Sequence, residues 1–155
     1  MAALTVRIQR EPFDMAAETA RLKKLPGVGA IVTFSGLCRD EGGRLAALEL
    51  EHYPGMAETE IMRIAEEAAA RWPLVGTTIV HRTGLIAVGH DIVLVATASV
   101  HRDAAFAAAT FVMDYLKTRA PFWKKEHPAG VKSGDWVGAR ESDDRNATRW
   151  RSPKT

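Results

Sequence analysis

Twice along this chain, two short apolar strands are followed by an amphipathic helix that a proline closes. That rhythm restricts the fold to sheets with helices laid on them. In the first unit, Gly29 to Leu37 is a β-branched, apolar run that reads as a buried strand. A polar, glycine-containing loop from Arg39 to Arg44 returns the chain through a second strand at about Leu45–Tyr53. Pro54-Gly55 breaks that strand, and Met56 to Trp72 then places Ile61, Ile64, Ala65, Ala68 and Trp72 at helical spacing until Pro73. In the second unit, strands at about Thr77–Arg82 and Asp91–Val100 flank a Gly84–Gly89 turn region. A helix from about Asp103 to Thr118 turns Phe106, Ala109, Thr110, Met113 and Leu116 toward the core, and Pro121 stops it. The units share no residue-level period and are not a repeat.

The flanks complete the pattern. Leu4 to Arg10 alternates apolar and polar, as an edge strand does. Asp14 is placed to cap a short helix reaching Lys24, ended by Pro26-Gly27. Beyond Pro121 a hairpin is expected, about Phe122–Glu126 with Asp135–Val137, followed by a polar tail from Glu141 that is mobile past Trp150. With 155 residues, one domain over 1–150 is favoured over two. The expected class is α+β, a mostly antiparallel sheet carrying two main helices.

Several functions are excluded by what the chain lacks. Its net charge of +2 gives no bulk attraction to nucleic acid. Cys38 is the only cysteine, so neither an internal disulfide nor a multi-cysteine metal site can form, in keeping with a reducing compartment. No histidine pair has metal-ligand spacing, and no metal or cofactor is inferred. The N-terminus has no basic segment followed by an apolar one, and no apolar run approaches the ~20 residues that cross a bilayer. A soluble, cytoplasmic domain is expected.

The chemistry concentrates between Lys117 and Glu126. Lys117, Arg119, Lys124 and Lys125 lie there without an intervening acid, and Phe122 and Trp123 sit among them. Same-sign clusters repel, so a solvated run normally mixes its charges. Cations against aromatic walls suit a flat, anionic small molecule, and partial burial would lower a lysine pKa. The helix dipole accounts for Lys117 and Arg119 at a helix C-terminus, but not for Lys124 and Lys125 after the proline. At the other end of the same helix, His101-Arg102-Asp103 follows a strand, where unpaired backbone N–H groups welcome an anion; the bland alternative is Asp103 capping the helix beside solvated neighbours. Arg39 and Arg140 follow strands and read by themselves as surface arginines. His52 and His81, inside strands, read as structural, and Cys38 as packing. A helix of this length holds His101-Arg102 and Lys117 roughly 20 Å apart, so one small ligand reaches both only across a dimer.

At these residues the chain resembles the large, catalytic subunit of molybdopterin synthase. The matching stretches are Val32-Thr33-Phe34-Ser35-Gly36 through Arg39, Leu50 to Met56, His81-Arg82-Thr83-Gly84, His101-Arg102, Met113 to Glu126 and Trp136 to Ser142. The resemblance implies an α/β hammerhead domain with a small antiparallel subdomain, and a homodimer at the centre of a heterotetramer. The implied partner is a small ubiquitin-like sulfur carrier whose C-terminal Gly-Gly ends in a thiocarboxylate. The implied substrate is cyclic pyranopterin monophosphate, converted to molybdopterin by two sulfur transfers. Carried over by position, the pocket falls on Arg39, His101, Arg102, Lys117, Lys124 and Arg140, extended to Lys125 and Glu126 by the same segment. The essential lysines fall on Lys117, orienting the thiocarboxylate, and Lys124, exchanging a proton at the pterin. The sulfur nucleophile arrives on the carrier, so Cys38 need not react.

One departure stands out: Leu37 occupies a position where some relatives carry a basic residue, and the Asp40–Arg44 loop is short. Two other functions compete. A non-catalytic module holding a nucleotide or phosphorylated metabolite would bind through the same cations. An RNA-contacting protein would need aromatics on an open sheet and a steep salt dependence.

Overall fold

The computed structural model describes residues 1–130, 136–137 and 150. Its elements run β1 (Ala3–Gln9), α1 (Met15–Lys23), β2 (Ala30–Leu37), β3 (Leu45–His52), α2 (Met56–Arg71), β4 (Leu74–Arg82), β5 (Gly84–Ala87), β6 (Asp91–Ser99), α3 (Arg102–Arg119), β7 (Phe122–Pro128) and β8 (Trp136–Val137). The strands form two four-stranded sheets, ordered β1-β4-β6-β2 and β5-β3-β7-β8. All pairings are antiparallel except β1 with β4. The class is therefore the expected α+β, and the second sheet is the small antiparallel addition.

The first sheet carries helices on both faces. On one, α2 and α3 bury Ile61, Ile64, Ala68, Phe111 and Val112 against Ile79, Val93 and Val95. On the other, Leu22 of α1 packs on Ala96 and Ala98. Asp14 caps α1 as the sequence suggests, accepting the Ala17 N–H at 3.1 Å. Glu18 is buried on that helix between Arg7 and Arg21. Trp150 returns to the α2–α3 seam, packing edge-on to Trp72 and Phe111 while its indole N–H donates to the Asp114 carboxylate.

Three expectations need correction. Gly29–Leu37 is not a buried strand: β2 is the outer strand of the first sheet, paired only with β6, and Phe34 and Leu37 are exposed. Gly84–Gly89 is not only a turn, because Gly84–Ala87 pairs with β3 as β5. On α3 the buried stripe is Ala104, Ala105, Ala108, Phe111, Val112 and Tyr115, with Ala109 and Leu116, whereas Phe106 and Thr110 face outward. The run of small alanines gives that helix little contrast between its sides, so its phase is set by the sheet it packs on.

Candidate active site

The cationic segment divides once it is folded. α3 ends at Arg119, Ala120 is already extended, and Pro121 sends the chain straight into β7. On β7 the register sets Phe122 opposite His52, Lys124 opposite Leu50 and Glu126 opposite Leu48. Strand alternation puts Phe122, Lys124 and Glu126 on one face of the second sheet and Trp123, Lys125 and His127 on the other. Leu50 is fully buried with Cys38 and Ile86, so the face bearing Lys124 is the inner one. On the outer face Trp123 packs edge-on to Tyr53 at 4.5 Å, and His127 bonds Glu49. Arg119 lies over the Tyr115 ring and is engaged by Glu60 and Glu67 of α2. Glu126 takes an ion pair from Arg44 at 2.8 Å.

The charges of Lys117 and Lys124 both act on one ring, that of His81. His81, half-buried at the end of β4, stacks on Phe122 with centroids 3.9 Å and planes 15° apart. Its Nδ1 donates to the carbonyl of Arg82 at 2.8 Å, since a carbonyl can only accept. The Arg82 side chain is itself locked, donating to the carbonyls of Arg10 and Asp91. Burial pushes the His81 pKa down to about 4, reinforced by the charges of Lys124, Lys117 and His52. A lysine from a helix end and a lysine from the following strand are thus both within electrostatic reach of His81. His52 is held beside them by Glu58 at 3.2 Å, and the same carboxylate accepts the Gly55 N–H at the start of α2.

Arg39 leaves β2 just past a register break at Gly36/Leu37. Cys38, whose N–H donates to His90 and whose carbonyl accepts from Gly89, anchors that exit against Leu50. Arg39 therefore emerges at the end of the molecule that carries Lys124, two-thirds exposed and 3.7 Å from Glu41. Burial raises the Cys38 thiol pKa, which keeps it protonated. The loop after Arg39 is compact: Glu41, Gly42 and Gly43 all have positive φ, and Leu45 N–H bonds back to Asp40.

The opposite end of α3 forms a separate depression of about 460 Å³ lined by Gly29, Ala30, Val100, His101, Arg102 and Asp103. Gly29 donates to the Ser99 carbonyl, and a Cβ there would stand 2.2 Å from the Val100 carbonyl, so only glycine admits this approach. His101 is the N-cap residue but makes no side-chain cap, and Asp103 lies in the first turn, exposed. The first N–H groups of α3 therefore open into a depression flanked by two potential cations. Along α3 the two clusters stand roughly 20 Å apart at 1.5 Å per residue, as its Arg102–Arg119 extent requires. Arg140 lies outside the described residues.

A protein with this fold and two cationic clusters has the electrostatics to bind an anionic small molecule. Residues 8–119 match the family described as MoaE protein, and the chain belongs to that family. A relative from Mesorhizobium japonicum, named molybdopterin synthase catalytic subunit, is 64% identical over 97% of this chain and 95% of its own. Among solved structures, the molybdopterin biosynthesis MoaE protein from Burkholderia ambifaria superposes with a TM-score of 0.83 at 48% identity, covering 99% of this chain and 100% of that one. Molybdopterin synthase from Staphylococcus aureus superposes with a TM-score of 0.75 at 34% identity, covering 84% and 95%.

Proposed function

We propose that this chain is the catalytic, sulfur-transferring subunit of a molybdopterin synthase. The substrate is cyclic pyranopterin monophosphate, and the sulfur arrives as the C-terminal thiocarboxylate of a small ubiquitin-like carrier. The observation that carries the reading is that the charges of Lys117 and Lys124 both act on His81, which stacks on Phe122, in a chain of the MoaE family. Two ammonium groups beside a partly dry aromatic surface can hold a thiocarboxylate and stabilise the charge that moves during attack. Lys117 orients the carrier terminus, and Lys124 exchanges a proton at the pterin.

The phosphate is assigned to His101 and Arg102 at the open N-terminus of α3, with Arg39 and Arg140 completing the pocket. Because α3 separates that end from Lys117, the working unit is a homodimer in which each pocket takes residues from both copies. The exposed apolar residues Phe34 and Leu37 on β2, with Val100 and Phe106 beside the α3 N-terminus, supply a surface for the second copy. Two carriers on such a dimer make a heterotetramer. Lys125 points to the outer sheet face and Glu126 is paired with Arg44, so both are assigned to shaping charge near the pocket. The functional unit is taken as residues 1–150, working in the cytoplasm; no described helix is long and apolar enough to cross a membrane.

The test is reconstitution. Purified chain, thiocarboxylated carrier and cyclic pyranopterin monophosphate should yield dithiolene product, read as its oxidised fluorescent derivative. Tight binding of carrier and pterin without product would move the chain to a non-catalytic binding module.

A further inference from the structure

We infer that His81 is a substrate-contacting residue of this site, presenting its bare Nε2 as a fixed hydrogen-bond acceptor for an N–H or O–H donor of the bound pterin. The inference rests on the synthase reading for the identity of the ligand and on geometry for everything else.

The ring is fixed in three ways. Its Nδ1–H is spent on the Arg82 carbonyl at 2.8 Å, one face is covered by Phe122, and the backbone beneath it is bound in mid-sheet between Ile8 of β1 and Val93 of β6. With the proton on Nδ1, the lone pair of a neutral imidazole sits on Nε2. No described residue donates to that atom. His81 is only partly buried and its Nε2 is not among the atoms sealed off in the interior, so the free lone pair is open to a ligand.

The surroundings say what the acceptor is for. The charged or titratable groups acting on His81 are Lys124 from β7, Lys117 from α3 and His52 from β3. They repel a proton from the ring, which remains neutral at any pH where the enzyme would work. A base with a pKa of about 4 is too weak for efficient general-base catalysis near pH 7, so proton abstraction is the lesser role. An acceptor is different: its lone pair is always available. Within reach of the charges of two lysines that would bind anions, it selects a ligand that offers a donor as well. A pterin ring, with amide and amino N–H groups, meets that requirement, and a bare phosphate or carboxylate does not.

Two variants and one spectrum test this. His81→Phe keeps a ring on Phe122 and removes the acceptor; His81→Gln restores an acceptor near the Nε2 position. Calorimetric titration with cyclic pyranopterin monophosphate should show about tenfold weaker binding for His81→Phe and recovery to within about threefold for His81→Gln. In ¹⁵N-histidine-labelled wild type, the Nε2 resonance should start at the bare-nitrogen position and move toward the hydrogen-bonded one as the pterin is added. Wild-type affinity in His81→Phe, equal weakness in both variants, or an unmoved Nε2 resonance would overturn the proposal. The spectrum needs no variant to fold. A wild type that binds the pterin but makes no product would count against the synthase reading and leave these binding outcomes to judge His81.

Discussion

Arg119 grips Glu67 with both prongs of its guanidinium, Nη1 at 3.1 Å from Oε2 and Nη2 at 3.2 Å from Oε1, while its Nε reaches Glu60 at 2.8 Å. This fork ties the end of α3 to α2. It takes one of the four cations of the 117–126 segment away from the pocket and gives it to the helix seam. Arg119→Ala should therefore lower stability by about 1–2 kcal/mol, or roughly 3–6 °C in Tm. Product formed per folded molecule should stay near wild type. Thermal melts paired with the dithiolene assay separate the two effects, and a dead but fully stable variant would return Arg119 to the pocket.

Lys117→Ala and Lys124→Ala should behave the other way round. Each removes a donor aimed at developing charge, a change that costs roughly 10²–10³-fold in turnover where such donors have been removed from other enzymes. Lys117 is exposed, so its loss should leave Tm within about 1–2 °C. Lys125→Ala, on the outer sheet face, should lose less than about tenfold under the same assay. Single-turnover rates with saturating carrier are the measurement.

Trp150 makes a prediction about where the fold ends. Its ring packs edge-on to Trp72 and Phe111, its N–H serves the buried Asp114, and its carbonyl accepts from Arg71 at 3.0 Å. Trp150→Ala should cost about 2–3 kcal/mol, roughly 5–10 °C in Tm. Urea unfolding of wild type and variant measures the loss, and an unchanged midpoint would show that Trp150 does not anchor the α2–α3 seam.

The pH dependence of stability has a definite sign at His81. Its folded pKa, about 4, lies below the unfolded value of about 6.5, so the unfolded chain binds the proton first. The contribution is complete above pH 6.5 and is lost as the pH falls toward 4, by about 2 kcal/mol between pH 7 and pH 5. Glu18 acts lower on the scale: burial raises its pKa, but bonds and charge from Arg7 and Arg21 outweigh that and hold it below the usual carboxylate value. Its contribution is present above the unfolded glutamate pKa and is lost as the pH drops through the lowered one. Urea unfolding at pH 7 and pH 5 should show the His81 component in wild type and lose it in His81→Gln. Equal losses in both would place the titration elsewhere.

The strands and helices were legible where their periods were clean. Ile61, Ile64, Ala65 and Ala68 fall on one side of a 3.6-residue turn, and the structure buries all four. Elsewhere the local pattern lacked the necessary information. An apolar run such as Ile31–Phe34 reads the same in a sheet centre as on an edge that another surface covers. β5 is only four residues between glycines, too short to outweigh its turn signal. The site was legible as a set of cations but not as a geometry. The acids that claim Arg119 lie 52 and 59 residues away in sequence, and the parity that separates Lys124 from Lys125 depends on β3. His81 read as structural because neither its carbonyl partner nor its cationic neighbours can be seen from a strand pattern.

A sulfur-transfer pocket assembled from two copies must show complementation between variants that disable opposite ends of α3. Arg102→Ala disables one end of α3 and Lys117→Ala the other. In a heterodimer of the two, carrying different tags and purified through both, one pocket receives both defects and the other receives none. With thiocarboxylated carrier and cyclic pyranopterin monophosphate, that heterodimer should make dithiolene product at about half the wild-type rate per dimer, while each parent homodimer makes almost none. A heterodimer as inactive as its parents would show that the two ends of α3 do not serve a shared pocket, and the composite site would have to be abandoned.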